Sequence, residues 1–454
     1  MKILGVSSYH HDSAAVSING TRILGASHEE RFSRQKFDKS FPEKTISWLR
    51  DSHDDWEFAA FYEETTYSQF KSDIKRFTSA RPVLVDHHEA HAMSSILMTD
   101  WTECAIMVVD TVGNRYSTSL GVYRNGEIEW IKRFRYPNSI GLFYSSATRL
   151  LGFTPLSDEC KVMSAASYGK PKWASWINQK IVDYNGEGDY TFLQNMERGV
   201  GSGALDWDIA ASVQQVTQNI LLALATWLQE ETGLTNLAYA GGVALNCVAN
   251  TYLVKHSGFN HIAIQPAAGD AGCALGAAAL ISRPLWENAY LGKYSNNNIT
   301  PEEAAKDIIA GKIVPIIQGR AEFGPRALGN RSFLCAPTEV NINKLNKIKQ
   351  RDTDFWRPYA PVCQKEEMDR FFKVYQPDMN MLFIADIIGG NFKTHDNSAR
   401  LQMVTGSSNA YLWKVLEITR QYGYPILINT SLNKKGKPIV NTVEDFKTEI
   451  SIYD

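Results

Sequence analysis

Two segments of this chain repeat the same order of a strand, a polar turn and a β-hairpin. Each hairpin is expected around an Asn-Gly pair, which is a strong signal for a type I′ turn between two strands. The first unit comprises strands 3–6, 14–18 and 23–26 with Asn19-Gly20, and the second comprises strands 105–109, 119–123 and 128–130 with Asn125-Gly126. The repetition predicts a duplicated α/β core with a ligand cleft between its halves.

The length of the chain, 454 residues, exceeds the usual size of one hydrophobic core and therefore predicts two domains. Apolar residues recur at helical spacing over 211–231, and shorter helical patterns cover 42–50 and 68–78. A stretch containing Asn, Ser and Pro at 283–301 indicates an interdomain connection. We expect a first domain at 1–285, a linker at 286–300 and a second domain at 301–454.

Composition and charge argue against several classes of protein. The formal net charge of −2 gives no bulk electrostatic reason to bind nucleic acid. No apolar run approaches the length of a membrane span, and the N-terminal sequence turns polar too soon for a signal peptide. The six cysteines form no C-x-x-C pair, which indicates reduced and mostly buried thiols. We therefore expect a cytoplasmic protein without membrane association.

Four residues form a candidate metal site. His87 and His91 are four residues apart, so that both imidazoles share one helix face. Asp110 follows the strand at 105–109, and Asp270 lies between glycines at the start of a small-residue helix. Two His and two Asp with open positions suit a catalytic divalent metal. The alternative is that His87 caps or packs a helix and that Asp110 ends a strand.

Two glycine turns form a candidate nucleotide site. A strand at 236–239 enters Gly241-Gly242, and a strand at 261–264 enters the turn before Asp270. Glycine at such a turn lets backbone N–H groups approach a phosphate at a helix start, and two adjacent turns would form two walls of one site. Gly-Gly also serves any tight turn, so this alternative stays open.

The sequence beyond 301 is dense in Arg and Gly. Several converging guanidinium groups imply an anionic substrate, because they match phosphate and carboxylate oxygens bidentately. Hydroxyl and amide side chains at 429–433, directly after an apolar strand, suit a polar ligand. Solvated surface arginines and an ordinary capping turn are the alternatives. The basic residues concerned are Arg320, Arg326, Arg331, Lys349, Arg351, Arg357 and Arg400.

Taken together, these motifs resemble the O-carbamoyltransferases of the nodulation, cephamycin and tobramycin type. The resemblance extends in order over nearly the whole chain, but it does not identify the acceptor. The matching segments are 9–15, 29–34, 87–91, 241–246, 269–279, 322–332, 357–361, 399–402 and 429–433.

The resemblance implies an α/β protein of two parts. The N-terminal domain would be a duplicated actin/sugar-kinase-like (ribonuclease H-like) domain that carries the metal. The C-terminal α/β domain would resemble the threonylcarbamoyl-adenylate-forming fold. In that family the C-terminal domain makes carbamoyl-adenylate from carbamoyl phosphate and ATP, with Mg²⁺ accompanying ATP. A substrate hydroxyl then attacks in the metal-bearing domain, where the ion is Fe²⁺, and AMP leaves.

The same resemblance implies roles for individual residues. His11 would be the base for the acceptor hydroxyl, with His10 as a neighbour that makes the assignment less definite. Glu29 and Lys36 would lie near the acceptor mouth. The metal ligands would be His87, His91, Asp110 and Asp270, in line with the residue pattern. Nucleotide and carbamoyl phosphate would be held by Gly241, Gly242, Asn246, Asp270, Arg320, Arg326, Arg331, Arg351, Arg400, Asn429 and Ser431.

The chain also departs from the family pattern. Family members are longer, so we expect trimmed loops around the acceptor cleft. The sequence after Asp110 lacks the usual Asp-Gly turn, and 159–169 replaces two glycines and a proline of the family motif, with Cys160, Ser164 and Ser167 at the changed positions. These changes affect local backbone geometry and acceptor preference.

An ATP-dependent O-carbamoyltransferase is therefore expected, as a monomer or homodimer that acts on a small-molecule hydroxyl. Two other functions stay open. One is an actin-like ATP-dependent kinase or hydrolase that uses the first domain alone. The other is carbamoyl modification of a hydroxymethylated nucleotide or nucleic acid, although the near-neutral net charge argues against broad affinity for DNA.

Overall fold

A computed structural model describes residues 1–52, 55–181, 207–351, 353 and 356–450. It divides the chain into two compact units. The first unit contains Met1–Leu24 and Lys39–Trp286, and the second contains Gly25–Asp38 and Glu287–Asp454. The first domain expected from the sequence, 1–285, thus included a segment that belongs to the second unit. None of the described helices is both long and apolar enough to cross a membrane.

The first unit contains two five-stranded sheets of the same design. The order in one is β3-β2-β1-β4-β5, and in the other it is β8-β7-β6-β9-β10. The strands are β1 Lys2–Ser7, β2 Ala14–Asn19, β3 Arg22–His28, β4 Phe58–Phe61, β5 Arg81–Leu84, β6 Glu103–Gly113, β7 Tyr116–Arg124, β8 Glu127–Arg135, β9 Asn236–Ala240 and β10 His261–Ile264.

Strand directions repeat as well. Strand β1 pairs antiparallel with β2 and parallel with β4, which pairs parallel with β5. Strand β6 likewise pairs antiparallel with β7 and parallel with β9, which pairs parallel with β10. The central strands β1 and β6 are almost wholly buried, as expected for strands covered on both faces. The predicted duplication of an α/β core is confirmed.

The two hairpins differ in their turns. In the second, Asn125 and Gly126 have φ of 53° and 95°, and a type I′ turn requires positive φ at both central residues. In the first, Asn19 is the last residue of β2 and pairs with Lys2, so the turn is formed by Gly20 and Thr21. Only Gly20 has positive φ there, at 56°. The predicted hairpin is confirmed, but the prediction of a type I′ turn at Asn19-Gly20 is wrong.

Helices α4 (His87–Ile96) and α10 (Asp270–Ile281) approach each other unusually closely. Helix α10 consists mainly of Ala and Gly, and a Cβ atom on Gly276 would lie only 1.7 Å from the carbonyl oxygen of Ala90. Gly5 in β1 is equally confined, because a Cβ atom there would lie 1.8 Å from the carbonyl oxygen of Ala274. Small residues therefore let α4, α10 and β1 pack backbone to backbone.

The other described helices of the first unit lie between and after its strands. The helices predicted at 42–50, 68–78 and 211–231 correspond to α2, α3 and α8. The bounds are α2 Glu43–Ser52, α3 Tyr67–Ile74, α5 Ile140–Leu150, α6 Glu159–Ala165, α7 Ala174–Lys180, α8 Trp207–Thr232 and α9 Cys247–His256, with 3₁₀ turns at Ala166–Tyr168 and Gly242–Leu245.

The second unit is an α/β unit around a sheet of order β11-β12-β18-β13-β17, with a small sheet β14-β15-β16. Its strands are β11 Val314–Ile317, β12 Arg331–Cys335, β13 Ala360–Gln364, β14 Phe372–Lys373, β15 Ala385–Ile387, β16 Ser398–Ala399, β17 Gln402–Val404 and β18 Ile426–Ser431. Its helices are α1 Glu30–Ser33, α11 Pro301–Ile309, α12 Glu339–Ile348, α13 Ala410–Arg420 and α14 Val443–Glu449, with a 3₁₀ turn at Lys365–Arg370.

The larger sheet of this unit is buried on both faces. Leu427 of β18 packs into a core with apolar residues of α11 and α13. Its neighbours Ile426 and Ile428 point to the other face and pack into a second core. This alternation explains why Ile426–Ile428 form a continuous apolar run, whereas in the polar end of β18 Asn429 and Thr430 are buried and Ser431 is partly exposed.

Apart from Trp286, the predicted linker at 286–300 is part of the second unit. Its backbone donates hydrogen bonds from Gly292 to Ala321, from Ser295 to Gly319 and from Asn297 to Ile317. These hydrogen bonds make the stretch an ordered segment, and its role as an interdomain connection stays a prediction. Asn and Ser in this stretch are compatible with an ordered segment because their backbone is hydrogen-bonded.

Candidate functional site

The histidine pair lies at the first turn of α4. Asp86 caps this helix by accepting a hydrogen bond from the backbone N–H of Glu89 at 3.1 Å, and Arg133 contacts both oxygens of Asp86 at 3.1 Å. The imidazole rings of His87 and His91 stack with centroids 5.0 Å apart. The local sequence thus fixes where the helix starts and turns both rings to one side.

Two carboxylates meet this pair. Oδ1 of Asp270 lies 3.6 Å from Nε2 of His87 and 3.5 Å from Nε2 of His91. Oδ2 of Asp110 lies 3.9 Å and 3.3 Å from the same two nitrogens. All four side chains are buried. The structure therefore brings together the four residues that the sequence analysis selected as metal ligands.

Asp110 reaches the cluster from an irregular part of β6. The sequence pattern ended the strand before Asp110, but β6 continues to Gly113, with a shift in its register against β7 after Val109. The shift turns Asp110 out of the regular ladder. Its Oδ1 accepts a hydrogen bond from the backbone N–H of Gly242 at 3.3 Å.

The donor set fits a cation. Within the part of the chain that the structure describes, Nε2 of His87, Nε2 of His91 and Oδ1 of Asp270 are buried and make no hydrogen bond. Buried polar atoms are almost always paired, so three convergent lone-pair donors without partners indicate a site for an ion. Imidazole and carboxylate together suit Fe²⁺, Zn²⁺, Co²⁺ or Mn²⁺ better than a purely oxygen-preferring ion.

The ionisation of the cluster leads to the same conclusion. Burial alone would raise the pKa of Asp270, but the imidazoles of His87 and His91, with Nε2 at 3.6 Å and 3.5 Å from Oδ1, hold it well below its usual range. Burial alone would lower the pKa of both imidazoles, but the neighbouring acidic groups raise it well above the usual value. The carboxylates thus give the cluster a negative charge, which favours a positive charge beside them.

Two residues of this cluster were missed by the sequence analysis. Glu63 Oε2 lies 3.2 Å from Nδ1 of His87, which orients the ring and leaves Nε2 directed at the carboxylates. Cys273, one helical turn after Asp270, belongs to a group in which the donor atoms of His87, His91, Asp270 and Cys273 all lie within 4.8 Å of one another. The i, i+3 spacing of Asp270 and Cys273 was the available signal for Cys273.

His11 lies in the loop between β1 and β2. Its Nδ1 is 3.2 Å from Oδ2 of Asp12. Burial alone would lower the pKa of His11, but the hydrogen bond with Asp12 and the charges of Asp270 and Asp110 raise it to about 10. The electrostatic effect of both carboxylates on His11 indicates that the ring is near the cluster. His10 is more exposed and lies 4.0 Å from Glu63.

The glycine turn after β9 has a structural explanation. Gly241 has φ of 95°, and a Cβ atom there would lie 2.1 Å from the carbonyl oxygen of Val109. Asn246 caps α9 by accepting from Ala249 N–H at 3.0 Å, and it exchanges hydrogen bonds with Gln214. The side chain of Asn246 is therefore engaged within the protein, and a role in nucleotide binding stays a prediction for Gly241, Gly242 and Asn246.

A buried lysine forms the centre of a cationic cluster in the second unit. Nζ of Lys349 donates to the backbone oxygen of Ser431 and to the backbone and side-chain oxygens of Asn433, the latter two at 3.0 Å. Burial, followed by the charges of Arg351, Arg357 and Lys36, lowers the pKa of Lys349 well below its usual value. The sequence analysis noted Lys349 as basic but did not select it as a site residue.

Two of the predicted phosphate-binding arginines donate to backbone carbonyl oxygens. The guanidinium of Arg331 is fully buried and donates to five backbone carbonyl oxygens. No donor remains for a phosphate, so the expectation for Arg331 was wrong. Arg320 donates to the carbonyl oxygens of Gly292 and Leu291, which also ties it to the backbone.

The other predicted residues of this unit are placed as follows. Asn429 is buried; its Nδ2 donates to Gln402 at 2.6 Å, and its Oδ1 makes no hydrogen bond. Ser431 contacts Lys349 at 3.3 Å through Oγ. The guanidinium of Arg351 lies 4.6 Å from the ring centre of Tyr359. Arg326 and Arg400 are half-buried.

Glu29 and Lys36 belong to the segment that joins the second unit. Glu29 is buried, and Nζ of Lys36 lies 4.6 Å from the ring centre of Phe37. The charge of Lys36 contributes to the cationic cluster around Lys349. A position at the acceptor mouth therefore stays a prediction for both residues.

The first unit thus has two sheets of one design with a buried His/Asp cluster, and the second is an α/β unit with a cationic cluster. Residues 2–54 and 55–279 match the family described as "Carbamoyltransferase N-terminus", and residues 305–451 match "Carbamoyltransferase C-terminus". The chain belongs to the carbamoyltransferase family.

Three relatives illustrate this membership. Protein sll1178 of Synechocystis is 32% identical, with 98% of this chain and 93% of that protein covered. Nodulation protein NolNO of Sinorhizobium fredii is 30% identical, with 99% and 78% covered. The 3′-hydroxymethylcephem-O-carbamoyltransferase of Streptomyces clavuligerus is 30% identical, with 68% and 65% covered. The alignment with sll1178 runs over 575 positions, so that relative carries segments that this chain lacks.

Proposed function

We propose that the protein is an ATP-dependent O-carbamoyltransferase that forms carbamoyl-adenylate from carbamoyl phosphate and ATP and then carbamoylates a hydroxyl acceptor. The observation that carries this proposal is the buried cluster of His87, His91, Asp110 and Asp270 in a chain of this family. Formation of the adenylate consumes one water and releases phosphate and pyrophosphate. AMP leaves when the acceptor oxygen bonds to the carbamoyl carbon.

In the first unit, the two imidazoles and the two carboxylates would hold Fe²⁺ or another divalent metal. Such an ion supplies a Lewis acid that polarises a carbonyl or phosphoryl oxygen. Glu63 keeps Nδ1 of His87 engaged, so that Nε2 is the coordinating atom. Burial of the cluster excludes water and strengthens each of these electrostatic interactions.

His11 would accept the proton of the acceptor hydroxyl. Its Nδ1 is engaged by Asp12, which leaves Nε2 as the ring atom that takes the proton. The charges of Asp110 and Asp270 help to raise the pKa of His11 to about 10, which keeps the ring protonated. A cation held by those carboxylates would weaken this effect and lower the pKa of His11 from that value, which favours its action as a base.

In the second unit, the cluster of Lys349, Arg351, Arg357 and Lys36 would bind the anionic substrates, ATP with Mg²⁺ and carbamoyl phosphate. Burial, followed by the repulsion from the three cationic groups Arg351, Arg357 and Lys36, lowers the pKa of Lys349. A phosphate group relieves this repulsion, which makes anion binding favourable. The buried Oδ1 of Asn429 is suited to accept a hydrogen bond from a carbamoyl NH₂ group.

The decisive test measures the products of ATP. Purified full-length protein is incubated with ATP, Mg²⁺, Fe²⁺ and carbamoyl phosphate under anaerobic conditions, with matched reactions that lack carbamoyl phosphate. We expect AMP and pyrophosphate only when carbamoyl phosphate is present. Formation of ADP independent of carbamoyl phosphate would instead indicate the actin-like kinase or hydrolase.

The acceptor is expected to be a small hydroxyl compound, since the cephem relative is named for a hydroxymethyl group that it carbamoylates. Mass spectrometry of a panel that includes amino sugars, hydroxymethyl heterocycles and hydroxymethylated nucleotides would reveal the carbamoyl adduct. Preferred carbamoylation of a hydroxymethylated nucleotide or of DNA would identify the alternative class of acceptor.

A further inference from the structure

Cys273 lies inside the candidate metal site. It is fully buried on α10 and follows Asp270 by three residues, so that both side chains share one helix face. Its Sγ, one nitrogen each of His87 and His91, and an oxygen of Asp270 lie within 4.8 Å of one another. Helix α4 therefore contributes two potential ligands that are four residues apart, His87 and His91. Helix α10 contributes two that are three residues apart, Asp270 and Cys273.

The backbone explains why the sulfur reaches the histidines. Gly276, one turn further along α10, is in contact with the carbonyl oxygen of Ala90, which lies between His87 and His91 on α4. Contact at this point brings the ligand-bearing turns of both helices face to face. A cysteine at 273 is thus directed into the space between the helices and towards the imidazoles.

We propose that Cys273 is an additional ligand of the same metal ion, a conclusion that rests on the proposed metal site. On coordination the thiol releases its proton to solvent, and a sulfur electron pair forms the bond to the ion. A thiolate makes the site selective for ions such as Fe²⁺, Co²⁺ and Zn²⁺ over Mg²⁺.

Other buried cysteines of the same unit provide contrast. Cys247 contacts the sulfur of Met163 at 3.7 Å, and Cys104 lies in β6 within the apolar core. Burial raises the pKa of Cys104 to about 12, as expected for an inert thiol in apolar surroundings. Cys104→Ala is therefore a matched control for the loss of a buried thiol in the same unit.

Titration of the metal-free full-length protein with Co²⁺ tests the proposal by spectroscopy, independently of activity. Wild type and Cys104→Ala should develop a near-ultraviolet thiolate-to-cobalt charge-transfer band that saturates at one Co²⁺ per chain. Cys273→Ala and Cys273→Ser should lack this band while retaining the visible bands of bound Co²⁺. Their affinity for Co²⁺ should fall by at least about tenfold, comparable to the loss of an outer-sphere partner.

The outcomes separate the two proposals. If wild type binds Co²⁺ without the charge-transfer band, Cys273 is not a ligand, and the metal site itself stands. If wild type binds no Co²⁺, both proposals fail.

Discussion

The contact between α4 and α10 offers a quantitative test of how the fold builds the site. In Gly276→Ala, the new methyl group would lie 1.7 Å from the carbonyl oxygen of Ala90, whereas real contacts of this kind are at least 3.0 Å. The helices must therefore separate by more than about 1 Å. Overpacking of this kind typically costs about 1–3 kcal/mol. The ligand pairs on the two helices would move apart by a similar distance.

We expect Gly276→Ala to lower the midpoint of thermal unfolding of the first unit by at least about 2 °C, given roughly 2–4 °C per kcal/mol for a unit of this size. Its affinity for Co²⁺ should fall by at least about tenfold, because coordination does not tolerate such displacement. Circular dichroism and Co²⁺ titration measure the two effects.

Gly269→Ala is the matched control, since Gly269 directly precedes α10 but has free space around its Cβ position and an ordinary φ of −74°. It should melt close to wild type. Gly276→Ala with wild-type melting and an affinity for Co²⁺ within twofold of wild type would refute the view that close helix packing aligns the ligands.

Four further predictions concern single residues. Glu63→Gln should weaken Co²⁺ binding roughly 10–100-fold in the same titration, because it removes the carboxylate that orients His87; unchanged affinity would show that Glu63 has no orienting role. His11→Asn should retain pyrophosphate release dependent on carbamoyl phosphate but lose transfer to the acceptor, and loss of both steps would reject its role as base. Arg331→Ala should destabilise the second unit by at least about 3 kcal/mol in urea unfolding, since five backbone oxygens lose their donor, whereas normal stability with lost ATP binding would restore Arg331 as a ligand. Binding of inorganic phosphate should take up a proton and weaken as pH rises, because burial lowers the pKa of Lys349 and an anion favours its charged form; calorimetry in buffers of different ionisation enthalpy measures the uptake, which should be reduced in Lys349→Arg.

Local patterns predicted that His87, His91, Asp110 and Asp270 come together, because these residues lie at ends of regular elements. The i, i+4 histidines needed only a helix, and Asp110 and Asp270 needed only the ends of a strand and a turn. The sequence pattern placed Asp110 correctly but ended the strand before it, whereas β6 continues. The register shift at this point has no signal in the sequence. Glu63 was missed because its contact with His87 depends on the pairing of β4 with β1.

The second unit shows where sequence reasoning fails. Arg331 lies in the segment dense in Arg and Gly, yet its guanidinium donates to carbonyl oxygens of five residues, Lys293, Gln318, Gly319, Asn330 and Asn441. Lys349 acquires its role only through contacts with the residues that follow β18. The segment 25–38 joins the second unit through long-range contacts such as Arg34 with Glu449, which no local pattern reports.

Exchange of radiolabelled pyrophosphate into ATP, measured without any acceptor, tests the central claim most directly. An enzyme that forms carbamoyl-adenylate reversibly should exchange label only when carbamoyl phosphate is present. Lys349→Ala should abolish exchange, and His11→Asn should preserve it. Absence of exchange in the wild type, or exchange that ignores carbamoyl phosphate, would contradict the proposed adenylate chemistry.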